Sequence, residues 1–67
     1  MNTGTVKFFN TTKGFGFITQ EAGSDIFFHV SELRNGHVTD GDKVDFEIGD
    51  SQKGPVAVNI REQGAYL

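Results

Sequence analysis

The sequence predicts a small all-β barrel of five strands, a single domain spanning residues 1–67. Three observations point there. Short runs rich in β-branched and aromatic residues follow one another at close intervals, with Gly, Asn, Asp and Ser between them. No apolar pattern with a 3.6-residue period has useful length. A chain of 67 residues with no cysteine must also rest on one small core, because disulfides and thiolate metal sites are excluded. Five strands without a real helix bury their apolar faces best by closing, or nearly closing, on themselves.

The first strand is Thr5–Asn10, bounded by Gly4 and by the Asn10-Thr11-Thr12 turn. Phe15–Gln20 follows the Lys13-Gly14 turn and ends at Glu21-Ala22-Gly23-Ser24. Asp25–Val30 is the third run, closed by a short turn around Ser31-Glu32-Leu33 with Ser31 as candidate N-cap. A polar loop containing Gly36 and Gly41 comes next. Lys43–Ile48 alternates cleanly, with Val44, Phe46 and Ile48 on one face. After the Gly49–Pro55 turn, Val56–Ile60 alternates again through Val56, Val58 and Ile60.

Composition narrows the function classes. Hydrophobic residues are 36% and charged residues 22%, as in an ordinary soluble domain. No run approaches the roughly 18 apolar residues of a membrane span, and Met1-Asn2-Thr3-Gly4 does not begin a signal peptide. A cytoplasmic protein with no membrane partner is expected. The net charge of −3 is unevenly spread: residues 1–20 carry +2 from Lys7 and Lys13, and residues 21–67 carry −5. Six of the seven Phe lie between Phe8 and Phe28, so the aromatic segment sits on the basic side.

Strand parity then identifies a surface. Val44, Phe46, Ile48, Val56, Val58 and Ile60 are inward candidates, and Ile26, Phe28, Ile18 and Val6 complete a core. That assignment sends Phe15 and Phe17 outward on the second strand, and Phe27 and His29 outward on the third. The competing reading packs Phe15, Phe17 and Phe27 into the core or beneath the loop at 31–43. The other parity already supplies enough core side chains, so an exposed ring patch is expected, and such patches mark interaction sites. Residues two apart on a strand are about 6.6–6.8 Å apart, a workable step for successive stacked bases. Lys7 and Lys13 flank the rings where phosphates would run. Gly14 and Gly16 alternate with the rings and permit close approach. A protein partner would use the same patch, and a small β-barrel interaction module is the alternative.

Lys13-Gly14-Phe15-Gly16-Phe17-Ile18 and Asp25-Ile26-Phe27-Phe28-His29-Val30 resemble the two ribonucleoprotein-type motifs of the cold-shock domain family, in order and at the right spacing. Gly4-Thr5-Val6-Lys7-Phe8-Phe9-Asn10 and Lys53-Gly54-Pro55 with Ala57-Val58-Asn59 match as well, so the resemblance covers roughly residues 3 to 61. It implies a five-stranded antiparallel Greek-key barrel of the oligonucleotide-binding (OB) type that binds single-stranded RNA and DNA. Family members act as RNA chaperones and as regulators of transcription or translation. Carried over by position, Phe8, Phe15, Phe17, Phe27 and His29 stack on bases. Lys7, Lys13 and Lys53 serve the backbone or base edges, and Asp25 accepts hydrogen bonds from a base.

The chain departs from the family at several positions. Phe8 stands where Trp is most common, and Val30 replaces a position that is commonly aromatic. The loop after Leu33 is short, leaving His37 or Val38 for another aromatic position. Weaker binding than by a member with the full aromatic set is therefore expected. Asp40, Asp42, Asp45, Glu47 and Asp50 are expected to form a solvated face. The expected partners are pyrimidine-rich single strands, bound by a monomer, although Gly36–Gly41 offers a hinge for strand exchange. No cofactor, metal or catalytic group is expected. Gly14-Phe15-Gly16 lacks the rest of a phosphate loop, and Asp25 and His29 lie roughly 13 Å apart along one strand, too far for an acid–base pair.

Overall fold

The computed structural model describes residues 2–34, 36–52 and 54–62. Strand β1 is Asn2–Asn10, β2 is Phe15–Gln20 and β3 is Asp25–His29. A single 3₁₀ turn, η1, covers Val30–Glu32, and β4 (Lys43–Ser51) and β5 (Gly54–Glu62) complete the chain of elements. The strands close into a barrel in the order β1-β2-β3-β5-β4, with β4 returning to β1. Four seams are antiparallel. The β3–β5 seam is parallel and short, setting Phe27 opposite Val56 and Phe28 opposite Ala57.

Element bounds shift modestly from the sequence reading. β1 starts at Asn2 because Asn2–Thr5 pair with β4. Val30 leaves β3 for η1, and the N-cap is His29 rather than Ser31: the His29 Nδ1 accepts the Ser31 N–H at 3.2 Å.

Val6, Ile18, Ile26, Phe28, Val44, Phe46 and Ile60 are buried together, as strand alternation requires. Leu33, Val38 and Ala57 join them, in place of the expected Ile48, Val56 and Val58. The cause lies in the β4–β5 register. Asp45 pairs with Arg61 but Glu47 pairs with Val58, so β5 carries one extra residue in a bulge. Asn59 sits there at φ 51°, the left-handed region that Asn tolerates better than most residues. One added residue reverses parity, so Ile60 and Ala57 point inward and Val56 and Val58 turn to the outer face. Ile48 keeps the parity of Phe46 but is 48% exposed. By that point β4 has left β1, whose pairing ends at Phe46, and runs on with β5 alone. Leu33 fills the space through a bridge to Ile60, and Val38 enters from the loop before β4.

A second bulge lies in β1. Val6 pairs with Ile18 and Phe8 with Phe17, leaving Lys7 as the extra residue. Strict alternation from Val6 would drive Phe8 into the core; the bulge places it outside with Phe17. Phe9 turns inward instead and stacks on Phe28, ring centroids 5.7 Å apart. Around this bulge the loop before β4 completes the pairing: the Val6 N–H donates to the Asp42 carbonyl and the Gly41 N–H to the Val6 carbonyl. Gly16 lies under the crossing. A Cβ there would stand 2.3 Å from the Phe8 carbonyl oxygen and 2.7 Å from the Phe28 Cζ, so only hydrogen fits. Its close approach is to the barrel interior rather than to a ligand.

Candidate functional site

Cross-strand register assembles the aromatic surface. Phe8 pairs with Phe17, Phe17 with Phe27 and Phe15 with His29, so all five rings share the outer face of β1–β2–β3. Their centroids form a continuous array. Phe8 lies 5.5 Å from Phe17 and 6.4 Å from Phe15. Phe27 stacks on Phe15 at 5.7 Å and meets Phe17 edge-on at 5.8 Å. Phe8 is 37% and Phe27 36% exposed, which leaves ring faces available to solvent while the neighbouring rings hold their orientation.

The surface extends onto β5. Phe17, Phe27 and His29 line an open groove of about 630 Å³ together with Pro55, Val56 and Val58 of β5. The parity reversal at Asn59 supplies these two valines, which the sequence reading placed in the core. An Asn standing before the last apolar residue of an alternating run is the signal that the strand can bulge there. Glu32 of η1 also lines the groove.

Charge is arranged around the rings. Lys7 projects from its bulge to Asp25 on β3, Nζ to Oδ2 2.8 Å, and the Thr19 hydroxyl donates to Asp25 Oδ1 at 3.1 Å. The Lys7 hydrogen bond, reinforced by Thr19, holds the Asp25 carboxyl below its ordinary value of 3.8. Two residues assigned separate tasks from the sequence thus form one ion pair beside the patch. Lys13 is exposed in the β1–β2 turn, which is fixed by its own N–H donating to Asn10 Oδ1. Lys53 lies outside the described residues.

The acidic residues do more than face water. Asp40 accepts the Phe9 N–H, Asp42 the Thr39 N–H, Asp45 the Thr3 hydroxyl and Glu47 the Asn59 side-chain amide. They tie loops and strands together. Of the two loop candidates, Val38 is buried, and His37 is exposed with its ring 6.2 Å from Phe9, edge-on. Of the two, His37 is the one accessible to solvent. Among the described residues no helix is long and apolar enough to cross a membrane.

Comparison with known proteins gives a consistent answer. The chain is similar to the major cold shock protein of Streptococcus pyogenes serotype M18, 52% identical over 63 residues that cover 90% of this chain and 94% of the relative. It is similar to the cold shock-like protein CspC of Escherichia coli K12, 56% identical over 61 residues that cover 85% and 88%. Among solved structures, drosophila Unr CSD456 superimposes with a TM-score of 0.77 at 24% identity, over 96% of this chain and 27% of that one, a likeness of fold. Residues 2–63 match the family described as the 'Cold-shock' DNA-binding domain. With that match, the paired motifs and the closed five-stranded barrel, the chain belongs to the cold-shock domain family of nucleic-acid-binding proteins.

Proposed function

We propose that the protein binds single-stranded RNA and DNA by stacking successive bases on Phe8, Phe15, Phe17, Phe27 and His29, and acts as a non-catalytic RNA chaperone. The observation that carries this reading is the continuous, half-exposed ring array held by cross-strand pairing on the β1–β2–β3 seams, beside Lys7 and Lys13. Each stacked base contributes roughly 1–3 kcal/mol and demands no particular sequence. Bases already stacked in a duplex have no free face, so duplexes are excluded. Pyrimidine-rich strands are preferred because they give up least self-stacking. Lys7, Lys13 and Lys53 meet phosphates along the edges, with Asp25 orienting Lys7 and accepting from base edges when Lys7 turns away.

Chaperone action follows by mass action. Binding traps transiently opened segments and shifts an RNA hairpin toward its melted state, with no nucleotide hydrolysis. Regulation of transcription or translation would follow from the same exchange, in the cytoplasm and by a monomer. The test is a hairpin RNA carrying a fluorophore and quencher at its ends. Added protein should raise fluorescence and lower the melting temperature in proportion to its concentration. An unchanged melting curve at concentrations that saturate an unstructured strand would refute the chaperone role.

A further inference from the structure

We infer that the groove between Phe27 and Val56–Val58 is a base subsite that selects cytosine over uracil and thymine through Glu32; this rests on the single-strand binding proposed above. The groove is continuous with the ring array through Phe17, Phe27 and His29, and its lining is mainly apolar, with Pro55, Val56 and Val58 beside the polar Ser51 and Gln52. Such walls suit the flat face of a base and not a phosphate. Polarity at the rim then decides which base.

Glu32 is the charged side chain that lines this groove. It is half-buried, and its position is fixed: Oε1 accepts the backbone N–H of Asn59 at 3.2 Å. Asn59 is itself fixed in its left-handed conformation by its side-chain amide, which donates to Glu47 at 2.8 Å. Among the described residues no donor meets the second oxygen, Oε2, of Glu32. A carboxylate only accepts. The N4 amino group of cytosine donates to it, whereas uracil and thymine present the O4 acceptor at that place, and their N3–H reaches the carboxylate only if the base shifts along the wall. The negative charge also holds the phosphates on the opposite side of the rings, toward Lys7 and Lys13. The bulge that overturned the expected parity of β5 thus creates both the apolar wall and the anchor of the discriminating group.

The experiment uses end-labelled seven-nucleotide oligothymidine and seven strands with one thymine replaced by cytosine at each successive position, read by fluorescence anisotropy. Cytosine at one position should tighten binding on the order of fivefold, as expected for one charge-assisted hydrogen bond at an open rim. Glu32→Gln keeps an oxygen for the Asn59 N–H and turns an amide donor toward the groove. At that position it should abolish or invert the preference, while the all-thymine strand binds as well as before or better. Equal binding of all eight strands by the unaltered protein would overturn the inference and leave stacking intact. So would a Glu32→Gln change that shifts every strand by one common factor, which is charge repulsion alone. Failure of every strand to bind would refute the single-strand reading itself, and this inference with it.

Discussion

Phe27 and Phe28 are neighbours on β3, and their rings face opposite sides of the barrel wall. Phe28 is fully buried, stacks on Phe9 and closes over Gly16. Truncation of a buried Phe to Ala costs about 3–5 kcal/mol. A chain of 67 residues has a total stability of about 3–10 kcal/mol. Phe28→Ala should therefore remove about a third or more of the folding free energy and lower the urea midpoint sharply. Phe27 is 36% exposed and has Phe15 and Phe17 as its ring partners. Losing two such surface pairs costs about 1–3 kcal/mol, less than the loss of the buried ring. Its ring is also a stacking platform, so Phe27→Ala should weaken oligothymidine binding by about 1–3 kcal/mol, or roughly 5- to 150-fold. Urea unfolding followed by circular dichroism, with anisotropy on the folded fraction, separates the two effects. A Phe28→Ala with a wild-type urea midpoint and impaired binding, beside a strongly destabilised Phe27→Ala, would show that the strand faces are reversed.

Two further outcomes follow from the local geometry. Gly16→Ala places a methyl group against the Phe8 carbonyl and the Phe28 ring, so it should destabilise by at least about 1–3 kcal/mol; a wild-type urea midpoint would contradict the β1 crossing. Asp25 has its pKa lowered by Lys7 and Thr19, so the ion pair contributes above the ordinary value of 3.8 and is lost as pH falls through the lower folded value. The difference in melting temperature between the protein and Asp25→Asn should accordingly be present at neutral pH, shrink below pH 3.8 and diminish in high salt; a difference that grows on acidification would contradict the pairing.

The aromatic surface was legible because parity is a local property. Ile18, Ile26 and Phe28 had to be inside, so Phe15, Phe17, Phe27 and His29 had to be outside. What alternation cannot show is where it is interrupted. The Lys7 bulge exposes Phe8 against the parity of Val6, and the position of Phe8 in the family motif, not periodicity, indicated that exposure. The Asn59 bulge had the opposite effect on the reading. Val56, Val58 and Ile60 look like one face, yet the extra residue divides them, and the groove lined by the first two was invisible. Ile48 was misplaced for a different reason. Its inward parity is correct, but burial depends on a neighbouring strand, and β1 has already ended its pairing with β4. Leu33 and Val38 enter the core from a turn and a loop, where no periodicity marks them. The Lys7–Asp25 pair joins residues 18 apart in sequence, and the register of β1 and β3 on either side of β2 brings them together.

The central claim is that ring stacking, with a few flanking cations, drives association with single strands. The most direct test is anisotropy of a labelled oligothymidine, single-stranded and then annealed to its complement, over a salt series. Micromolar or tighter single-strand binding, no duplex binding and a log–log salt slope on the order of −2, for about three lysine–phosphate contacts, are the predicted results. A slope steeper than about −4 would make charge the driver, and no binding even at low salt would leave the ring patch to a protein partner.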